Sequence, residues 1–83
     1  MDKPVYTFRK NHNETVRASI RKHQGREFID LRVWAEKETG HCEFVPTKKG
    51  LMLSVYVLPE LKKAVLALER EVSRLGLLET EET

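Results

Sequence analysis

Cysteine is nearly absent: Cys42 is the single one in 83 residues, so no internal disulfide can staple the fold. No apolar run opens the chain ahead of a small-residue cleavage site, which points to an intracellular protein, cytoplasmic or nucleoid-associated, and away from a secreted scaffold. Long hydrophobic stretches are missing as well. The most apolar one, residues 51–58, is interrupted by Ser54 and falls far short of the ~20 residues that span a bilayer, so no membrane is expected as a partner. His12, His23, His41 and Cys42 form neither CxxC nor HxxxH spacing, and adjacent His41 and Cys42 on a strand would point to opposite faces, a poor chelating geometry. There is no Gly-rich phosphate loop, no carboxylate pair, and nothing to serve Cys42 as base and oxyanion hole. Neither an enzyme nor a cofactor is expected. At ~100–200 residues per domain the chain has room for one small domain.

What the sequence does contain is charge, unevenly spread. Residues 1–50 carry 11 basic and 7 acidic side chains, whereas residues 51–83 carry 4 basic and 6 acidic ones. The positive charge thus coincides with the β-prone part of the chain, and a basic sheet is a candidate surface for polyanions.

Two alternating segments, residues 15–22 and 27–35, flank Gln24-Gly25 and predict a β-hairpin. With Gln24 and Gly25 as the loop, Ile20 faces Ile29, Ala18 faces Leu31, and Val16 faces Val33, so one side of the hairpin is wholly apolar. The other side pairs Arg21 with Phe28, Ser19 with Asp30, Arg17 with Arg32 and Thr15 with Trp34. A slip of one residue would mix the two sets.

Around this hairpin the expectations are simpler. Residues 1–14 read as a lead-in carrying a short β-prone run, 5–10, closed by Asn11-His12-Asn13. After a charged loop at 36–40, residues 42–45 predict a third strand that Pro46 confines to an edge or a bulge. Lys48-Lys49-Gly50 predicts a basic turn, and 51–53 a short fourth strand. Ser54 is a candidate helix cap, with Pro59 leaving the first turn irregular or moving the start toward itself. Leu58, Leu61, Val65, Leu68, Val72 and Leu75 step by three or four, the stripe of one amphipathic helix, and Gly76 terminates it. Residues 77–83 read as an acidic flexible tail. The expected architecture is α+β: a curved four-stranded antiparallel sheet followed by one C-terminal helix, with the functional module over residues 15–76.

The stripe is expected to cover the apolar side of the sheet and, through Leu61, Val65, Leu68 and Val72, to meet a second copy of the chain. A domain of this size buries only ~60% of its unfolded surface and gains from a partner. Leu66, Leu77 and Leu78, off the stripe, point the same way.

The outward face of the hairpin holds the candidate chemistry. Arg17 opposite Arg32 sets like charges across a strand pair, unfavourable unless an acid such as Asp30 or a bound anion lies between them. Arg17, Arg21 and Arg32 beside Phe28 and Trp34 match phosphates and unpaired bases, since guanidiniums pair with phosphate oxygens and flat rings stack on base faces. The plainer alternative is that the rings are covered by the N-terminal segment or a partner and that the arginines are merely solvated. Lys48 and Lys49 extend the basic surface.

Ile29-Asp30-Leu31-Arg32-Val33-Trp34, together with Glu43-Phe44-Val45-Pro46-Thr47-Lys48-Lys49-Gly50-Leu51-Met52-Leu53-Ser54 ahead of the helix, resembles the transcriptional coactivator family called positive cofactor four. The resemblance spans residues 15–72. It implies a dimer whose two curved sheets form grooves for single-stranded DNA, with helices at the dimer interface. It further implies Arg32 as a strand-borne phosphate ligand, Trp34 as a base-stacking ring, Lys48 and Lys49 as a basic turn on the backbone, and Arg17 and Arg21 as basic residues of the first family strand. Eukaryotic members carry the key Trp one position later, where this chain has Ala35, so Trp34 looks like the bacterial branch. The Asn-Pro helix cap and the acidic, serine-rich regulatory arm of the eukaryotic proteins are absent here. The expectation is a non-enzymatic, homodimeric single-stranded DNA-binding protein of low sequence preference, acting in transcription regulation or other DNA transactions, with RNA as a related ligand and transcription or replication proteins as further partners. Two rivals are an interaction adaptor for that machinery and a ribbon-type regulator of duplex DNA.

Overall fold

A computed structural model describes residues 3–37 and 43–80. Four strands, β1 (Lys3–Asn11), β2 (Glu14–His23), β3 (Arg26–Glu36) and β4 (Phe44–Ser54), form one antiparallel sheet in the order β1-β2-β3-β4. A 3-10 turn, Val55–Val57, leads into helix α1 (Leu58–Arg74), and a second 3-10 turn follows at Leu77–Thr80.

The central hairpin has the predicted register at every pair, from Thr15 with Trp34 to Arg21 with Phe28. Its loop works because both central residues lie at positive φ, 53° at Gln24 and 77° at Gly25, a twist that matches the flanking strands. The β-prone run expected over residues 5–10 is a full strand that reaches back to Lys3 and on to Asn11, so most of the lead-in read over residues 1–14 belongs to the sheet. Tyr6 and Phe8 pair with Ala18 and Val16 and extend the apolar face. At the β1–β2 turn the Asn13 amide donates to Asn11 Oδ1 at 3.1 Å, the self-bonding that suits Asn to turns.

The expected third and fourth strands are one. Residues 44–54 run unbroken beside β3, and the segment read as a basic turn is a bulge in which Thr47, Lys48 and Lys49 lie between the residues paired with Trp34 and Arg32. The bulge takes up the residues that would otherwise have to leave the sheet, and Pro46 is tolerated because β4 is an edge strand. Gly50 makes this close pairing achievable: at φ 150°, a Cβ there would sit 2.8 Å from Arg32 Cα and closer still to the Leu31 carbonyl oxygen. His41 and Cys42, and the end of the charged loop, lie outside the described residues.

Ser54 caps the 3-10 turn, its Oγ accepting from the Tyr56 amide at 3.2 Å. Helix α1 then starts at Leu58 with Pro59 in its first turn, where a missing N–H costs no bond. Gly76, at φ 68°, takes the left-handed position just beyond the helix end.

The helix does not cover the sheet, a correction to the expected packing. Leaving the end of β4, it runs off rather than folding back, and only Leu58 and Leu61 line a cleft of about 220 Å³ with Ile20, Ile29 and Leu31. Val65 and Leu68 are 52% and 65% exposed. No hydrophobic side chain among the described residues is buried. The radius of gyration is 15.3 Å, against ~12 Å for a compact chain of this length. No described helix is long and apolar enough to cross a membrane.

Candidate nucleic-acid interface

Paired residues in a sheet share a face, so the register assembles the polar side of the sheet directly. Arg17, Ser19 and Arg21 come from β2, and Phe28, Asp30, Arg32 and Trp34 from β3. Pro4 joins them opposite Ser19, and Pro46 opposite Trp34. Together Arg17, Arg21, Asp30, Arg32 and Trp34 wall a cleft of about 220 Å³ on this face.

At its floor is Asp30, 4% exposed and the one buried residue among those described. Two arginines neutralise it. Arg32 donates from Nε at 3.1 and 3.2 Å to the two carboxylate oxygens, and its second terminal nitrogen lies 3.0 Å from Oδ1. Arg21 reaches Oδ2 at 3.3 Å. The fork of Arg32 is completed by Thr47, whose carbonyl accepts from the remaining terminal nitrogen at 3.0 Å. A guanidinium held on three sides is a strut as well as a charge: it ties β3 to the bulge of β4.

Thr47 secures that bulge in two further ways. Its hydroxyl donates to the Val33 carbonyl at 2.8 Å and accepts from the Lys49 amide at 3.1 Å. Sequence reasoning passed over Thr47. A hydroxyl residue directly after Pro46 was the available signal, since Ser and Thr bond nearby backbone where a ladder breaks.

Arg17 solves the like-charge problem differently from Arg32. Its guanidinium carbon lies 4.1 Å from the centre of the Trp34 ring, a cation–π contact. Asp30 therefore compensates Arg21 and Arg32, and Trp34 accommodates Arg17. The N-terminal segment supplies Pro4 to the cleft rim and leaves Trp34 half-buried.

The remaining predicted residues are more dispersed. Lys48 and Lys49 are exposed on the bulge beyond Trp34. Lys49 is near enough to Glu14 to act on its carboxyl, which is held below the ordinary carboxylate range chiefly by the hydrogen bond from Lys10, then by Asn11. Those two donors lie 2.9 and 2.8 Å from Glu14 Oε1. Phe28 is half-buried roughly 20 Å along β3 from Trp34 and lines a separate cleft at the hairpin end. Among the predicted apolar contact residues, Leu61 and Val72 are half-exposed, while Val65 and Leu68 are open to solvent. No group of three or more His, Cys, Asp or Glu side chains among the described residues could hold a metal.

The fold has counterparts among solved structures. A PC4 homolog from Burkholderia pseudomallei K96243 matches in two crystal forms. The orthorhombic form is 28% identical, with a TM-score of 0.75 over 83% of this chain and 90% of that one. The tetragonal form is 25% identical, with the same TM-score over 83% and 98%. A bacteriophage T5 homolog of the eukaryotic coactivator PC4, implicated in recombination-dependent DNA replication, shares the fold at a TM-score of 0.55 and 20% identity, over 95% of this chain and 83% of that one. No curated protein sequence matches. The sequence model of the family described as Transcriptional Coactivator p15 (PC4) matches residues 10–64, which contain the hairpin, the bulge and the start of the helix, and the chain belongs to that family as a bacterial-type member.

Proposed function

We propose that the protein is a non-enzymatic, homodimeric single-stranded DNA-binding protein with low sequence preference, acting in transcription regulation or another DNA transaction. The observation that carries this reading is the cleft in which Arg17, Arg21 and Arg32 surround Trp34 with one buried carboxylate among them. The three guanidiniums exceed Asp30 by two charges, and Lys48 and Lys49 add to the excess. Phosphates answer that excess, and an unpaired base answers the ring.

Single strands suit the site better than a duplex, because only unpaired bases offer their faces for stacking. The Arg17 guanidinium occupies the ring face that a base would take. Exchange of one for the other frees a cation beside the incoming phosphate, so stacking and charge neutralisation reinforce each other. Contacts to phosphates and ring faces carry little sequence information, hence the low preference. RNA offers the same two features and is a second ligand of the site.

The dimer is supported by the uncovered apolar surface. Val5, Tyr6, Phe8 and Ile20 on the sheet, and Val65 and Leu68 on the helix, are all more than half exposed within one chain. A second copy that covers them supplies the core that a single chain lacks. Leu61, Val65, Leu68 and Val72 form its helical contact.

Trp34 is the single tryptophan, so its fluorescence reports this site alone. Titration with a labelled single-stranded oligonucleotide, followed by anisotropy and by Trp34 quenching at two salt concentrations, is expected to show tight binding that matching duplex fails to displace. Affinity should fall with salt at a slope of about −0.7 per neutralised phosphate, and Trp34→Ala should cost ~1–3 kcal/mol. Binding without quenching, unaffected by Arg32→Ala, would instead favour an adaptor that docks on transcription or replication proteins. Displacement by duplex would favour the ribbon-type regulator.

A further inference from the structure

We infer that Asp30 is an internal competitor for the strand's phosphates: it holds Arg21 in the free protein and yields it when nucleic acid binds, while Arg32 stays fixed; this rests on the single-strand reading above. A carboxylate and a phosphate are alternative acceptors for the same guanidinium. Asp30 and the two arginines bonded to it wall one cleft with Arg17 and Trp34, so the acid stands where an incoming phosphate must compete with it.

The two arginines differ in how Asp30 holds them. Arg32, its side chain 19% exposed, commits Nε and both terminal nitrogens to Asp30 and the Thr47 carbonyl, at 3.0 to 3.2 Å. Its departure would undo the join between β3 and the bulge. Arg21, its side chain 42% exposed, meets Asp30 through one terminal nitrogen at 3.3 Å, longer than the ~2.7–2.9 Å of a strong charge-assisted bond. A phosphate that takes Arg21 leaves Asp30 still bonded to Arg32, so the exchange strands no buried charge. Arg17 lies over the Trp34 ring instead. The acid therefore lowers what one of the three arginines gains from a phosphate, and so sets how tightly the site holds a strand.

The test is a double-mutant cycle in affinity for a single-stranded oligonucleotide, read by anisotropy together with Trp34 quenching. Asp30→Asn, which keeps an acceptor oxygen for Arg32 but no charge, is expected to bind about fivefold more tightly than the wild type, the worth of a part-exposed ion pair. Arg21→Ala should then cost about fivefold more in the Asp30→Asn background than by itself, whereas Arg17→Ala should cost the same in both. In the isotope-labelled wild type, the Arg21 Nε–H resonance should move on titration while that of Arg32 stays, a measurement that depends on no variant's folding. A folded Asp30→Asn that binds no more tightly, or tightening that is independent of Arg21, overturns the competition, as does movement of Arg32 in place of Arg21. Normal quenching of Trp34 alongside any of those results leaves the single-strand reading standing. If the wild type shows no quenching, that reading falls and the competition with it.

Discussion

Asp30 is a carboxylate at the bottom of a surface otherwise built from cations, and its burial follows from its partners. Removing a carboxylate 4% exposed leaves Arg32 without its two-toothed acceptor and sets Arg32 against Arg21 and Arg17. Asp30→Ala is therefore expected to destabilise the fold by ~1–3 kcal/mol, moderated by the partial exposure of the arginines, as a lowered urea midpoint would record. Asp30→Asn, which keeps an acceptor oxygen, should cost less. Glu14 gives a second, pH-dependent case. Its carboxyl titrates below its ordinary range because Lys10 and Asn11 donate to the charged form. The stabilisation it contributes is thus complete above the unfolded value of ~4.3 and is lost as pH falls through the lower folded value. Glu14→Gln should flatten this part of the acid-denaturation curve. The charges and rings of the site, Arg17, Arg21, Arg32 and Trp34, were legible in the sequence because strand alternation alone assigns them to one face. The work of Thr47 was not, since a hydroxyl's partners depend on a bulge that alternation cannot foresee.

Among the elements, β4 departs furthest from what its sequence suggests. Pro46 and Lys48-Lys49-Gly50 are breaker and turn residues, yet the chain stays in the sheet as one strand. The ladder with β3 resumes at Gly50 because that residue lets two backbones approach where a side chain would collide with Leu31 and Arg32. Gly50→Ala is expected to cost at least ~1–3 kcal/mol, the usual range for overpacking, and to loosen the bulge that carries Lys48 and Lys49. Amide exchange of β4 should accelerate more than that of the β2–β3 hairpin. The helix was read correctly in its periodicity and its Gly76 stop. Its start was legible only as a choice between Ser54 and Pro59, and both act: Ser54 caps the 3-10 turn, and Pro59 sits in the first turn of the α-helix.

For the whole molecule the governing fact is the lack of buried hydrophobic side chains among the described residues, in a body measuring 41 × 38 × 18 Å. A charged residue on the open stripe tests the assembly directly. Leu68→Asp is expected to abolish the concentration dependence of the melting temperature and to yield a monomer in sedimentation, while a surface change off the stripe, such as Lys62→Asp, should do neither. The amino-acid sequence by itself determined the hairpin and its register, the polar and apolar faces, and the helical stripe, because each of these follows from periodicities of two and 3.6 along a short stretch of chain. It also carried the family motifs, which sit on contiguous residues. Only the tertiary structure decided that two short strands are one bulged strand, that Arg32 is shared between Asp30 and Thr47, and that the helix departs from the sheet it was expected to cover. Each of those depends on where residues distant in sequence meet, and no local pattern contains that information.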